Sequence, residues 1–275
     1  MLKMALREDI GKGDITTRAI IEKDVIARGH IIANEEMIAA GLQVARRAFQ
    51  ILEEEVSFKP FHLDGDSVRK GELLATVKGR ISTLLKAERV MLNILQRLCG
   101  IATLTRQFND RIAGTGCRIL DTRKTTPGLR EIEKYAVRVG GGSNHRMGLY
   151  DRILIKNNHI DIVGGIRQAF ERARRSGYAA DEIEIEVRDL KELKQALRCG
   201  AMNILLDNMD TGALRKAVRR AAGRACLEAS GNITLSNVRR VAATGVDFIS
   251  IGCLTHSVRS MDISFRIECI PCSGN

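Results

Sequence analysis

The sequence predicts an α/β protein whose larger, carboxyl-terminal part is a β/α-barrel and whose first part is a smaller α+β domain. Short apolar segments recur from residue 118 onward with helical patterns between them, and they read RILDTR, RILIKN, IEIEV, NILLDN, ACLEAS and FISIG. A polar or small residue stands at or just beyond the end of each segment, in the order Asp121, Lys156, Glu186, Asp207, Ser230 and Gly252.

The alternation of strands with helices indicates parallel pairing through right-handed crossovers. In a β/α-barrel the carboxyl ends of all strands converge on one face, where active sites are built. A doubly wound sheet instead confines its ligand groups to a switch point and does not require a polar residue after every strand. The strand ends therefore favour the barrel.

The first hundred or so residues follow a different pattern. The stretches ARGHIIANEEMIAAG and GDSVRKGELLATVKG are typical of strands with glycine turns, and LQVARRAFQILEE is typical of a helix. From about residue 81, ISTLLKAERVMLNILQRLCGIATLT predicts a long amphipathic helix that joins the two parts. These elements predict an α+β domain ahead of the barrel.

Composition narrows the class of protein. The chain has 275 residues, 44% of them hydrophobic, and lacks both a secretory h-region near its start and an apolar stretch that could span a membrane. We therefore expect a cytoplasmic protein without membrane partners. Its seven scattered cysteines indicate reduced thiols, and the single CxxC formed by Cys269 and Cys272 is a weak signal for a metal or redox role.

The net charge of +11 favours an anionic partner, which could be nucleic acid, a membrane surface or a small polyanion. Residues 118–159 hold nine Lys and Arg against four Asp and Glu. This excess lies beside predicted strand ends, which suits a small polyanion. The run GGGSNHR, residues 140–146 in the same stretch, allows positive φ angles and could line an anion site with backbone amides.

Two further groups of residues stand at predicted strand ends. Glu186 and Asp207 follow adjacent apolar segments, and paired carboxylates there can hold Mg²⁺, which prefers oxygen ligands. The stretches SGN (230–232) and IGC (251–253) follow consecutive strands, where backbone amides of a barrel commonly bind phosphate. These features predict a magnesium and phosphate site on one face of the barrel.

Several motifs taken together resemble the quinolinate phosphoribosyltransferase family, also called nicotinate-nucleotide pyrophosphorylase (decarboxylating). The resemblance covers most of the chain and rests on the order and separation of ALREDIGKGDITT, AERVMLNILQRLCGIATLT, DTRKTTPGLREIEKYAVRVGGGSNHRMGLYDRILIKNNHI, EIEV, LLDNM, EASGNI and GVDFISIGCLTHS. It implies the type II phosphoribosyltransferase fold, with an N-terminal α/β sandwich at residues 1–100, joined by the segment 258–275, and an incomplete β/α-barrel at residues 101–257.

The resemblance also implies an activity and an assembly. The family transfers a phosphoribosyl group from phosphoribosyl pyrophosphate to quinolinate with Mg²⁺ and releases pyrophosphate and CO₂, giving nicotinate mononucleotide for NAD biosynthesis. It implies a homodimer with shared active sites, and the sequence leaves a hexamer open.

The resemblance assigns roles residue by residue. Arg123, Arg146 and Lys156 would bind the quinolinate carboxylates, and His145 would position the substrate ring. Lys124 and Arg89, the latter from the partner subunit, would bind the negatively charged diphosphate and carboxylate groups. Glu186 and Asp207 would bind magnesium and ribose hydroxyls and, with Lys124, form the catalytic set. The remaining expected substrate contacts are Thr122, Ser230, Gly231, Asn232, Ile251, Gly252 and Cys253.

The sequence departs from the family pattern at three positions. Asn157 stands where Asp is general, Asn232 where a second Gly is usual, and Cys99 where Ser is usual.

The sequence raises two alternatives to the predicted function. One is a related phosphoribosyltransferase that acts on another ring acid, and the presence of Arg123, Arg146 and Lys156 together argues against it. The other is a nucleic-acid binder, suggested by RKAVRR at 215–220. Because only 4% of residues are aromatic and no nucleic-acid motif is present, we interpret this run as a solvated basic face and expect no nucleic-acid partner.

Overall fold

A computed structural model describes residues 1–269, with the side chain of Cys269 left out, so Cys272 and the predicted Cys269–Cys272 motif lie outside the described residues. The chain forms two compact units. The first contains Met1–Leu104, Thr126–Gly140 and the chain from Ser257 onward, and the second contains Thr105–Thr125 and Gly141–His256.

The elements alternate along the chain much as the apolar segments predict. The helices are α1 (Leu2–Ile10), α2 (Ile15–Ile20), α3 (Leu42–Leu52), α4 (Ile81–Ile112), α5 (Arg130–Val139), α6 (Asn157–Val163), α7 (Ile166–Arg175), α8 (Leu190–Arg198), α9 (Thr211–Ala221), α10 (Val238–Ala242) and α11 (Cys253–His256). The strands are β1 (Ile26–Ala33), β2 (Met37–Ile38), β3 (Ser57–Pro60), β4 (Ser67–Val68), β5 (Leu73–Arg80), β6 (Arg118–Leu120), β7 (Ile153–Ile155), β8 (Ile183–Val187), β9 (Asn203–Asp207), β10 (Cys226–Ser230), β11 (Phe248–Ser250) and β12 (Ile263–Cys269).

The first unit is built on an antiparallel sheet with strand order β12-β1-β5-β3, beside a short β2-β4 pair. Helix α3 buries Leu42, Ala45, Ala48 and Phe49, which recur at helical spacing and join the core of this unit together with α4 residues such as Met91 and Leu95. An antiparallel sheet covered by helices in this way is the α/β sandwich that the family resemblance implies.

The segment Thr126–Gly140 belongs to the first unit, whereas the sequence placed it in the barrel domain. Its helix α5 explains the difference. Glu133 of α5 is fully buried and accepts a hydrogen bond from Arg97 Nε at 2.8 Å, and the Tyr135 hydroxyl donates to Asp64. Arg97 and Asp64 both belong to the first unit, so these hydrogen bonds tie α5 to that unit.

The second unit is a parallel six-stranded sheet with order β6-β11-β10-β9-β8-β7. Each strand matches one of the six apolar segments. Among the described residues, the outermost strands β6 and β7 form no ladder with each other, so the barrel is incomplete, and a single bridge from Leu120 to Ser143 extends the sheet beyond β6.

The helices of the second unit turn one apolar face to the sheet. In α9, Leu214, Ala217 and Ala221 are buried, while Arg215, Lys216, Arg219 and Arg220 are exposed. The RKAVRR run is therefore the solvent face of an amphipathic helix. No helix in the described part of the chain is long and apolar enough to cross a membrane.

Candidate active site

A cavity of about 240 Å³ lies in the second unit at the carboxyl ends of its strands. We call it the anion pocket, and it is lined by Thr122, Arg123, Lys124, His145, Arg146, Leu154, Lys156, Glu186, Leu205, Asp207, Glu228, Ser230 and Ser250. Nine of these residues are among the substrate contacts predicted from the sequence: Thr122, Arg123, Lys124, His145, Arg146, Lys156, Glu186, Asp207 and Ser230.

Parallel pairing explains why residues far apart in sequence meet here. Ser230 at the end of β10 pairs with Asp207 at the end of β9 and with Ser250 at the end of β11. Because side chains on one strand alternate between faces, Glu228 points to the same face as Ser230. The polar side chains at the ends of β9, β10 and β11 therefore lie in register and form one continuous surface.

A buried carboxylate organises the loop that carries His145 and Arg146. Asp121 is 0% exposed, and its Oδ1 accepts a hydrogen bond from the His145 backbone amide at 2.9 Å. The Asn144 side chain donates to its other oxygen. Asp121 thus acts on the loop rather than on a ligand, a role that the sequence did not reveal.

The backbone amides of this loop are used internally. The Ser143 amide donates to the Ile119 carbonyl at 2.8 Å, and the Arg146 amide donates to His145 Nδ1 at 2.8 Å. Together with the His145 amide, these donors are already engaged within the protein. The GGGSNHR run consequently supplies side chains to the pocket, and the expectation that its amides would line an anion site is wrong for these three residues.

The cations of the pocket are held close together. Arg146 is 9% exposed, and its Nη1 donates to the Arg152 carbonyl at 3.0 Å. Burial and the nearby charge of Arg123 lower the pKa of Arg146. Like charges at this depth repel each other, and an anion bound between them would relieve that repulsion.

Glu186 and Asp207 bring two carboxylates to the same pocket. Burial and the charge of Asp207 raise the pKa of Glu186. The backbone N–H of Asn157 donates to Glu186 Oε1 at 3.4 Å and opposes this rise. The pair has the oxygen donors and mutual repulsion of a site that a divalent cation would stabilise.

The loop after β11 packs against Lys124. A Cβ on Gly252 would lie 3.0 Å from Lys124 Cδ, and the Thr255 hydroxyl donates to the Lys124 carbonyl at 2.8 Å. Ile251 is 1% exposed, and its amide donates to the Leu120 carbonyl at 2.9 Å. Ile251, Gly252 and Cys253 are not among the residues that line the pocket, and Ile251 has no free amide to offer a ligand.

The loop after β10 adopts a left-handed conformation. Gly231 has φ +105°, and a Cβ there would lie 2.0 Å from Asn208 Oδ1. Asn232 has φ 52° and its Nδ2 donates to Asn208 Oδ1 at 3.3 Å. Asparagine is one of the few residues besides glycine that tolerates positive φ, which explains how Asn232 can replace the usual glycine. Gly231 and Asn232 line a neighbouring cavity with Ser230.

Arg89 lies on α4 in the first unit and does not line the anion pocket. Its side chain is 59% exposed, and its Nη2 lies 3.9 Å from Glu88 Oε1. A contact with substrate in a partner subunit stays a prediction for this residue.

Four pocket residues were missed by the sequence analysis: Leu154, Leu205, Glu228 and Ser250. Strand alternation could have found Glu228 and Leu205, which stand two residues before Ser230 and Asp207. Burial and the charge of Glu184 raise the pKa of Glu228 to about 8. Burial alone would lower the pKa of His145, but its contacts with Glu184 and Glu228 outweigh that effect and raise it.

Comparison with known proteins agrees with this geometry. Residues 14–99 match the family model for the quinolinate phosphoribosyl transferase N-terminal domain, and residues 101–266 match that for the C-terminal domain. A probable nicotinate-nucleotide pyrophosphorylase (carboxylating) from Bacillus subtilis is 44% identical over 260 residues, which cover 94% of this chain and 90% of that protein.

Other relatives extend the match. A mitochondrial quinolinate phosphoribosyltransferase (decarboxylating) from Nicotiana tabacum is 40% identical over 98% of this chain and 81% of its own length. The crystal structure of NadC from Streptococcus pyogenes superposes with a TM-score of 0.94 at 40% identity, covering 98% of this chain and 95% of that one. Both family models, in sequence order, together with these relatives show that the chain belongs to the quinolinate phosphoribosyltransferase family.

Proposed function

We propose that this protein transfers the phosphoribosyl group of phosphoribosyl pyrophosphate to quinolinate with loss of CO₂, giving nicotinate mononucleotide and pyrophosphate. The observation that carries the proposal is the anion pocket, which gathers four cations, Arg123, Lys124, Arg146 and Lys156, around a small cavity. Three acidic side chains, Glu186, Asp207 and Glu228, also line it. The relatives in Bacillus subtilis and Nicotiana tabacum carry names for this reaction.

The cations suit a substrate with two adjacent carboxylates on a planar ring. Arg123 and Arg146 offer guanidinium forks that match a carboxylate in plane, and Lys156 adds a point charge. The buried Arg146 is held near Arg123 by the protein, so the bound dianion replaces a repulsion with an attraction. His145, on the same wall, orients the ring.

The chemistry follows from bringing these anions together. The ring nitrogen forms a bond to ribose C1 while the bond from C1 to the diphosphate oxygen breaks, and pyrophosphate leaves with the electron pair. The bond between ring C2 and its carboxylate then breaks, CO₂ departs, and C2 takes a proton from water. Orientation and electrostatic stabilisation supply the rate, with Lys124 beside the departing diphosphate and Glu186 and Asp207 facing the positive charge that develops on ribose.

Magnesium fits the donor set that Glu186 and Asp207 provide. Their carboxylates line the same pocket, and burial together with the charge of Asp207 raises the pKa of Glu186. A divalent cation would remove the part of this shift that comes from repulsion by Asp207. Bound there, Mg²⁺ would neutralise diphosphate charge. We expect activity to be lost on chelation with EDTA and to return with Mg²⁺, and Asp207→Asn to require more Mg²⁺ for the half-maximal rate.

The assembly and the location complete the proposal. We propose a cytoplasmic homodimer in which the exposed Arg89 of one subunit reaches the anion pocket of the other. Sedimentation equilibrium measures the oligomeric state. Arg89→Ala mixed with an inactive Lys124→Ala protein tests sharing, because a hybrid dimer would regain one intact site if the sites are shared.

The direct test is a turnover assay on the purified full chain. Quinolinate, phosphoribosyl pyrophosphate and Mg²⁺ are supplied, and nicotinate mononucleotide is measured by chromatography. Nicotinate in place of quinolinate is the comparison substrate, since it lacks the second carboxylate that the arginine pair would bind. Product from quinolinate and none from nicotinate supports the proposal. Product from nicotinate alone would show that the chain acts on another ring acid.

A further inference from the structure

Three buried side chains form a cluster at the inner end of the anion pocket. His145 Nε2 lies 3.0 Å from Glu184 Oε2 and 3.6 Å from Glu228 Oε2. The side chains are 8%, 4% and 5% exposed, in the order His145, Glu184 and Glu228. We call these three residues the His145 cluster.

The cluster lies between two cavities. His145 and Glu228 line the anion pocket, and with Glu184 they also line a second cavity of about 240 Å³ in the same unit. Arg118 and Arg152 also line this second cavity. The imidazole and the Glu228 carboxyl therefore form the floor of the anion pocket.

Both ring nitrogens of His145 have neighbours that fix the ring. Nδ1 accepts a hydrogen bond from the Arg146 amide at 2.8 Å, so in this arrangement Nδ1 carries no proton and the ring proton lies on Nε2, facing Glu184. The ring orientation is thereby linked to the backbone of Arg146, which carries the buried guanidinium of the pocket.

Other charged and titratable groups face the cluster from the surrounding elements. The positive charge of Arg152 acts to lower the pKa of both His145 and Glu184. The Ser250 hydroxyl on β11 is hydrogen-bonded to Glu228. The other cations that line the two cavities are Arg118, Arg123, Lys124, Arg146 and Lys156. Their positive charge offsets part of the cost of burying Glu184 and Glu228.

A metal ion is the alternative occupant of such a cluster. The possible ligand atoms of His145, Glu184 and Glu228 lie within 4.8 Å of one another. Among the described residues, Glu184 Oε2 and Glu228 Oε1 have no hydrogen bond of good geometry, so His145 Nε2 contacts Glu184 Oε2 as an ion-pair neighbour at 3.0 Å. However, a metal ligand nitrogen must be unprotonated. The Arg146 amide already occupies Nδ1, which leaves the proton on Nε2, the nitrogen that faces both carboxylates. The geometry therefore favours positioning of the ring over metal binding.

We propose that Glu184 and Glu228 are positioning residues: they hold the His145 imidazole in its Nε2–H tautomer and so present Arg146 to the substrate carboxylates. This inference rests on the proposed function for the identity of the substrate. It assigns a role to two glutamates that lie below the predicted ligands and need not touch substrate.

The test compares Glu184→Leu, which removes the acceptor, with Glu184→Gln, which keeps an uncharged one, and with Glu171→Gln as a surface control on α7. We expect Glu184→Leu to raise the KM for quinolinate on the order of tenfold or more with a smaller change in the KM for phosphoribosyl pyrophosphate. Glu184→Gln should restore part of the loss, and Glu171→Gln should match the wild type.

Nitrogen-15 NMR of histidine-labelled protein provides a readout that is independent of turnover. At the alkaline end of a pH titration, where the His145 nitrogen shifts no longer change with pH, His145 should be the Nε2–H tautomer in the wild type and a mixture of tautomers in Glu184→Leu. If Glu184→Leu does not fold, Glu228→Gln and Glu184→Gln are each compared with the wild type instead. We expect both to lower the fraction of the Nε2–H tautomer, by less than Glu184→Leu would.

The outcomes separate the two proposals. An unchanged tautomer and an unchanged KM for quinolinate in the Glu184 variants would overturn the positioning role. Stoichiometric metal bound through His145 Nε2 in the purified protein would overturn it as well. A wild-type protein that shows the Nε2–H tautomer but never turns over quinolinate would instead contradict the proposed function.

Discussion

Single buried charges determine what the anion pocket can bind. Arg146 is 9% exposed and lies beside Arg123, while the fully buried Asp121 fastens the loop that carries it. A buried guanidinium keeps few waters, so its hydrogen bonds to a substrate carboxylate replace little solvent and carry most of their strength. At this scale the pocket is a set of cations that the protein holds in place before substrate arrives.

Replacing Arg146 tests that idea. Each charge-assisted hydrogen bond contributes roughly 1.5–3 kcal/mol, so Arg146→Ala should weaken quinolinate binding by at least about tenfold, and Arg146→Lys should lie between it and the wild type. Isothermal titration calorimetry measures the affinity, and circular dichroism checks the fold. Arg215→Ala, on the exposed face of α9, is the control. Equal affinities for quinolinate in all four proteins would show that Arg146 does not bind it.

Glu228 makes folding stability depend on pH. Its pKa is raised to about 8 in the folded protein from an ordinary value near 4.5, so the folded state binds the proton more tightly than the unfolded state does. The free energy of unfolding therefore falls as pH rises through the window between these values, and the loss is complete above it.

We expect Glu228→Gln to remove this fall. Relative to the wild type, the variant should gain stability between about pH 5 and pH 8, by on the order of 2 kcal/mol. Urea unfolding at a series of pH values measures the difference, with Glu171→Gln as the control. Wild-type and Glu228→Gln stabilities that run parallel across this window would show that folding does not raise the pKa of Glu228.

Turns at the ends of neighbouring strands shape the pocket at the scale of elements. Asn208 after β9 and Asn232 after β10 both have positive φ, and Gly231 has no room for a side chain because its Cβ would meet Asn208. Helix propensity and apolar periodicity do not specify such turns. The turns depend instead on the close approach of two loops that parallel strand pairing brings side by side.

Gly231→Ala should therefore lower the free energy of unfolding more than replacement of a positive-φ glycine that has free space around it. The added Cβ meets Asn208 Oδ1, and the backbone also has a φ of +105°. Gly223→Ala is the matched control, since Gly223 has φ +75° and nothing within 4 Å. We expect a loss of about 1–2 kcal/mol for Gly223→Ala and a larger loss for Gly231→Ala, measured by urea unfolding.

A second substitution separates steric overlap from backbone strain. Adding Asn208→Gly to Gly231→Ala should bring the loss close to that of Gly223→Ala, because the clashing oxygen is gone. An unchanged loss in the double variant would show that the turn conformation alone, rather than contact between the two loops, makes glycine necessary at position 231.

The six barrel strands were predicted from the apolar segments and the polar residues that follow them. The same pattern placed Lys156, Glu186, Asp207 and Ser230 at one face of the sheet, where all four line the anion pocket. That inference worked because strand direction alone decides where the end of a parallel strand lies. The roles of Asp121 and Glu228 could not be predicted the same way. Each depends on the loop before β7 folding back over the strands, which brings His145 against residues remote in sequence.

At the scale of the whole molecule, charge and family membership agree. The net charge of +11 is spread over exposed helix faces as well as the anion pocket, where Arg123, Lys124, Arg146 and Lys156 line one small cavity at the strand ends. The family models cover both parts of the chain, and the fold matches a solved relative with a TM-score of 0.94. A small polyanion, rather than nucleic acid, is the partner that this distribution of charge suits.

The central claim is that this pocket joins quinolinate to ribose and releases its C2 carboxylate. Quinolinate carrying carbon-13 in that carboxylate, supplied with phosphoribosyl pyrophosphate and Mg²⁺, tests it directly. We predict labelled CO₂ and pyrophosphate in equal amounts, together with unlabelled nicotinate mononucleotide. Label retained in the nucleotide, or pyrophosphate released without labelled CO₂, would contradict the account.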